Sequence, residues 1–140
     1  MEVQLSEDLG AVNWEELANV FELAPLGHRE PEQLKAAFEN SDLRCFVYYR
    51  GKLIGAGRAL SDGVYQAAIY DVVVLPEYQR KGIGTRIMNY LVSRARVGRI
   101  IIYVVAGKEV FYERLGFRKM KTAMSLLTDE KWRRQNGYNE

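Results

Sequence analysis

The sequence predicts an α+β protein: three layers, with a mixed, mostly antiparallel central sheet, one parallel βαβ pair, and helices on both faces. Three observations carry this. Aromatic and β-branched runs between residues 43 and 75 are broken by short polar turns, as antiparallel strands require. From Thr85 the apolar period becomes helical, with Ile87, Met88, Leu91, Val92 and Ala95 on one face. A nearly continuous apolar run, residues 99–105, follows that helix and should lie parallel to the strand before it, through a right-handed crossover.

The elements follow in order. A short first strand is expected over residues 2–5. Asn13 suits an N-cap, with Glu16 placed to complete a capping box, and Trp14, Leu17, Ala18 and Phe21 share one helical face. Pro25, Gly27 and His28 break that helix, and Pro31 opens a second one whose stripe is Leu34, Ala37 and Phe38. Residues 43–49 and 53–60 form a hairpin across Arg50-Gly51-Lys52. Ser61-Asp62-Gly63 turns the chain into a long strand over residues 65–75. After the central helix, closed at Val97-Gly98, and the run at residues 99–105, a short helix spans residues 108–115 with Gly116 as its C′ residue. A final strand or two is expected over residues 117–127, and a polar, helical tail over residues 129–140.

Composition narrows the function. A chain of 140 residues, 48% hydrophobic, can bury one sizeable core, so residues 1–140 are expected to form a single domain. The 20 basic residues are nearly matched by 18 acidic ones, net +2, which argues against a nucleic-acid partner. One cysteine and one histidine exclude an internal disulfide and argue against a metal site. Cys45, inside Cys45-Phe46-Val47, reads as a buried apolar residue. The first ten residues lack a signal-peptide pattern and no apolar run approaches membrane-spanning length, so a soluble, cytoplasmic protein with no membrane partner is expected.

The centre of the sequence is the stretch from Tyr70 to Arg96. A β run, Val72-Val73-Val74-Leu75, ends at Pro76, and the turn Gln79-Arg80-Lys81-Gly82-Ile83-Gly84 leads into the amphipathic helix. Strand, glycine turn and helix present bare backbone N–H groups at a helix N-terminus, where a phosphate-bearing ligand binds most readily. A P-loop would need Lys-Ser/Thr after its last glycine, but Thr85-Arg86 stands there. A dinucleotide fingerprint would need a third small residue where Ile87 stands. What remains is Gln-x-x-Gly-x-Gly behind a strand ending in Val-x-Pro.

With that motif, the chain resembles the GNAT superfamily of N-acetyltransferases, in element order over nearly its whole length. The likeness is sharpest over residues 70–96 and over Phe111-Tyr112-Glu113-Arg114-Leu115-Gly116-Phe117. The resemblance implies the GNAT acyl-CoA N-acyltransferase fold and acetyl-CoA as co-substrate, with no metal. It places the diphosphate on Gln79, Arg80, Lys81, Gly82, Ile83, Gly84 and Thr85, and the pantetheine arm against Val72, Val73 and Val74. Tyr112 would lie at the cofactor as general acid, a phenol (about pKa 10) able to protonate a departing thiolate (about pKa 8.5). The glycines suit this role through close approach and positive φ.

The chain departs from the family in two places. The strand at residues 100–105 carries no acid to serve as base, which leaves Asp71 as a candidate. Simple strand alternation puts Asp71 on the face of Ile69 and Val73. His28, Glu22 and Glu30, between the first two helices, read as surface residues, and a water relay with no side-chain base is an alternative. The segment Val105-Ala106-Gly107-Lys108-Glu109 lacks the family's asparagine, so the acetyl carbonyl would rely on a strand amide near Val73 or Val74. Arg86, Arg94, Arg96 and Arg99 are expected to serve the cofactor's phosphates or to solvate a helix. The expected function is acetyl transfer from acetyl-CoA to a primary amine, of a small molecule or a protein, by direct attack in a ternary complex. The alternative is a non-catalytic acyl-CoA-binding or sensing module. A homodimer stays open beside a monomer.

Overall fold

In the computed structural model, which describes residues 1–129, the sheet contains β1 (Gln4–Ser6), β2 (Leu43–Tyr49), β3 (Lys52–Ser61), β4 (Gln66–Val74) and β5 (Arg99–Ile101), in that spatial order. Neighbouring pairs are antiparallel except β4–β5, which is parallel. Helices α1 (Trp14–Leu23), α2 (Pro31–Glu39), α3 (Ile83–Ala95) and α4 (Glu109–Arg114) complete the architecture. By its internal contacts the chain divides into two units, Met1–Ile102 and Tyr103–Glu140.

The first unit holds the core. Asn13 caps α1 by accepting the Glu16 N–H at 3.0 Å, but the Glu16 carboxylate does not turn back to complete a capping box. It accepts the Leu53 N–H at 3.3 Å and ties α1 to β3. Leu17, Val20 and Phe21 of α1 and Leu34 and Phe38 of α2 are buried. Trp14, Phe38 and Phe46 meet with ring centroids 5.3–5.9 Å apart, so these helices lie over the sheet face that carries Phe46.

Helix α3 covers the opposite face, and two glycines let it approach. A Cβ on Gly57 would stand 2.7 Å from Ile87 Cγ2, and one on Gly55 would stand 3.3 Å from Ile87 Cδ1. Ile83, Ile87, Met88, Leu91 and Ala95 bury the α3 stripe, while Val92, expected within it, is exposed. Helix α3 stops at Arg96, which takes the left-handed conformation at φ 55°, one residue before the expected Val97-Gly98 stop.

Two expected strands differ. The run at residues 99–105 pairs only as Arg99–Ile101, opposite Gln66, Ala67 and Ala68, and Ile101 is half exposed rather than covered on both faces. Residues 117–127 form no strand among the described residues. A strand exists only where a ladder partner presents its edge, and residue preference does not replace that partner. The tail expected over residues 129–140 lies, from residue 130 on, outside the described residues. In the second unit, α4 ends as expected, with Gly116 at φ +97° as its C′ residue.

Candidate active site

Strand β4 is interrupted by a bulge at Asp71. Arg58 pairs with Tyr70 and Ala56 with Val73, so Asp71 and Val72 together oppose the single residue Gly57. Asp71 takes φ 58°, a left-handed conformation that aspartate accepts more readily than most residues. The extra residue reverses the alternation. Ile69 pairs with Ala59, on the α3 face with Gly57, whereas Val73 pairs with Ala56, on the α1–α2 face with Phe46. Ile69 and Val73 therefore face opposite sides, which corrects the expectation that Asp71 shares one face with both; a sequence carries no mark of a bulge in an apolar run.

Past the bulge, β4 has an open edge among the described residues, because its pairing with β5 ends at Ala68. The Leu75 N–H donates to the Ile54 carbonyl at 2.8 Å, which sets the direction of the backbone groups. By alternation Val73 turns its N–H and C=O toward β3, and Val72 and Val74 turn theirs to the open edge. The Val74 carbonyl indeed accepts the Gln79 side-chain amide at 2.9 Å on that side. Of the two amides expected to face an acetyl carbonyl, the Val74 N–H thus points outward and the Val73 N–H does not.

The open edge leads through a 3-10 turn at Pro76–Tyr78 into the glycine turn. Arg80 and Gly82 take left-handed φ values of 62° and 81°, while Gly84 sits in helical backbone within α3. Positive φ is thus needed at Gly82 and not at Gly84. A Cβ on Gly82 would meet nothing within 4 Å, so its backbone is accessible. No side chain caps α3, and its first internal bond runs from the Arg86 N–H to the Gly82 carbonyl at 3.1 Å. Among the described residues the N–H groups of Ile83, Gly84 and Thr85 find no acceptor, and they lie beside the exposed Arg80 and Lys81. Arg94 lies in the last turn of α3 with its guanidinium 3.5 Å over the Tyr90 ring, away from this cradle.

Asp71 is not an isolated carboxylate. Arg29 Nη2 donates to its Oδ1 at 2.9 Å and Arg58 Nε to its Oδ2 at 2.8 Å. Arg58 also donates to Ser41 Oγ at 3.2 Å, and Ser41, buried, donates to the Ala37 carbonyl at 2.7 Å. Burial pushes the Asp71 carboxyl up, but the hydrogen bonds and charges of Arg29 and Arg58 outweigh it and hold its pKa below the ordinary value. Such a carboxylate is a weak proton acceptor, and the geometry weighs against Asp71 as a base. Neither arginine was marked in the sequence, because they lie 42 and 13 residues from Asp71.

His28 is held at Nδ1 by Glu22 at 2.6 Å and at Nε2 by Glu30 at 2.8 Å, on an exposed surface. Those hydrogen bonds, to Glu22 first and then Glu30, raise its pKa. Burial pushes the Cys45 thiol up to about 12, as an inert core residue should show. Tyr112 lies in the second unit, on α4, with its ring edge-on to Phe111 at 4.9 Å and to Phe117 at 6.2 Å.

A family model described as "Acetyltransferase (GNAT) domain" matches residues 41–119. The chain belongs to the GNAT acetyltransferases. It is 33% identical over 120 residues to serotonin N-acetyltransferase 2, chloroplastic, of Oryza sativa subsp. japonica, covering 79% of this chain and 56% of that protein. It is 31% identical over 111 residues to GCN5-related N-acetyltransferase 1, chloroplastic, of Arabidopsis thaliana, covering 76% and 56%. The chain thus spans a little over half the length of these curated relatives. Among solved structures, an acetyltransferase-assigned protein of Deinococcus radiodurans R1 superposes with a TM-score of 0.78 at 26% identity, covering 90% of this chain and 88% of that one. This GNAT acetyltransferase has the mixed sheet and flanking helices expected for the fold. Among its described residues no group of three or more His, Cys, Asp or Glu could hold a metal ion, and no helix is long and apolar enough to cross a membrane.

Proposed function

We propose that residues 1–140 act as one domain that transfers the acetyl group of acetyl-CoA to a primary amine by direct attack in a ternary complex. The observation that carries this reading is continuity: the open edge of β4 at Val72 and Val74 runs within nine residues into the uncapped N-terminus of α3. An extended amide-bearing arm ending in a diphosphate has the matching chemistry. Its amides would pair with the Val72 and Val74 backbone, and its phosphates would take the N–H groups of Ile83, Gly84 and Thr85, with Arg80 and Lys81 supplying charge. The co-substrate supplies an activated thioester.

In the reaction the amine nitrogen bonds to the acetyl carbon, the carbon–sulfur bond breaks, and the thiolate takes a proton. We assign that proton to the Tyr112 hydroxyl and the oxyanion contact to the Val74 N–H. An alkylammonium (about pKa 10) must first lose a proton, and with Asp71 held by two arginines we assign that loss to water. The cytosol is the proposed compartment, and monomer and homodimer both accommodate this chemistry. Thiol release from acetyl-CoA, measured against a panel of primary amines, tests the reading. Release that depends on amine and yields the acetylated amine supports it. Tight acetyl-CoA binding with no transfer to any amine would replace it with the binding-module alternative.

A further inference from the structure

The Arg29–Asp71–Arg58 cluster carries more positive charge than its structural role requires. Pinning one carboxylate needs one guanidinium, yet two converge here, from the loop between α1 and α2 and from β3. Each gives Asp71 a single nitrogen. Arg29 Nε and Nη1 and Arg58 Nη2 make no hydrogen bond among the described residues. Arg29 keeps 35% of its side chain exposed and is braced over the Phe21 ring, its guanidinium carbon 4.6 Å from the centroid. Arg58 is braced over Tyr70 at 5.2 Å and by Ser41. Two pre-oriented forks with unspent donors, around one carboxylate, make a half-buried centre of net charge +1. The acids nearby in sequence, Glu22 and Glu30, are engaged by His28.

The cluster adjoins the assigned reaction edge, since Asp71 directly precedes Val72. We propose that Arg29 and Arg58 bind an anionic group, carboxylate or phosphate, carried on the acceptor amine, so that the enzyme selects acidic or zwitterionic amines over polycations. This rests on the acetyl-transfer reading for the presence of an acceptor there. A free amine without an anion meets net repulsion at this centre before it reaches the thioester. An acceptor with an anionic group meets charge-assisted hydrogen bonds from donors that are already ordered.

Matched acceptor pairs test it: β-alanine against β-alaninamide, and phosphoethanolamine against ethanolamine, with spermidine as the polycation. The expected result is a preference for the anionic member of at least one pair by about tenfold to a hundredfold in kcat/KM, residing mainly in KM, with spermidine the poorest acceptor. Which pair shows the larger ratio separates carboxylate from phosphate. Arg29→Gln takes the centre from +1 to zero and lowers the ratio, whereas Asp71→Asn takes it to +2 and raises it. A purely structural clamp would leave the ratio untouched in both variants, and that outcome overturns the inference. So does equal turnover of charged and neutral members by the wild type. If no amine is acetylated, the transfer reading itself falls. Calorimetric binding of phosphoethanolamine against ethanolamine to wild type and Arg29→Gln then decides the anion site alone: no preference in the wild type sinks it.

Discussion

Gln79 donates its side-chain amide to the backbone carbonyl of Val74 across 2.9 Å, joining the first residue of the glycine turn to the outward edge of β4. The bond fixes which strand residue looks outward, and it ties the strand edge to the turn that leads into the start of α3. It also shows that Val73 and Val74, adjacent in an all-valine run, have different duties.

Proline substitution separates those duties. Val74→Pro removes an outward N–H and leaves the β3 ladder intact, so the protein should fold while acetyl-CoA affinity falls at least about tenfold. Val73→Pro removes a ladder donor and should cost on the order of 3 kcal/mol of stability. Urea unfolding and acetyl-CoA titration of both variants check this; equal destabilisation would show that the assigned backbone direction is wrong.

Gly57 is a packing glycine. In Gly57→Ala the new methyl would stand 2.7 Å from Ile87 Cγ2 and 3.1 Å from Leu91 Cδ1, so α3 or its side chains must shift. A loss of about 1–3 kcal/mol is expected from overpacking. Because α3 also presents the N–H groups proposed to hold the diphosphate, acetyl-CoA binding should weaken with it. A lower denaturant midpoint at unchanged m is the signature.

His28 predicts the pH dependence of the α1–α2 loop. Its folded pKa is raised by Glu22 and Glu30, so the stability it contributes is fully present below about pH 6.5, the unfolded value. It is lost as pH rises through the folded value. Melting temperatures of wild type and His28→Gln, compared from about pH 5.5 to 9, should differ at the acid end and converge at the alkaline end. A gap that widens with rising pH would contradict the bridge.

Tyr112→Phe keeps the ring and deletes the hydroxyl. If that hydroxyl protonates the thiolate, kcat should fall by roughly 10²–10⁴ while acetyl-CoA affinity changes little. Pre-steady-state thiol release measures the chemical step, and an undiminished rate would remove Tyr112 from the role of acid.

Much of the site was legible in sequence because its signals are local. A cap at Asn13, a breaker at Pro76, a positive-φ glycine at Gly82 and the helical period from Ile87 each act within a few residues, and the glycine turn could be placed from them alone. Glu16 shows where such reasoning stops: it stands at a capping-box position, yet a partner 37 residues away, the Leu53 N–H, takes its carboxylate. The strand expected at residues 117–127 failed for the same reason, since its preferences are local and a ladder is not.

By itself the sequence determined the order of elements as far as α4, the glycine turn at the start of α3 and the acetyltransferase signatures around it, because each depends on short-range backbone chemistry. Only the tertiary structure decided the bulge at Asp71, the outward turn of Val74 and the pairing of Asp71 with Arg29 and Arg58. A bulge is a mismatch between two strands, and a charge cluster is a meeting of distant elements. Neither exists until the sheet has formed and the loop between α1 and α2 has settled against it.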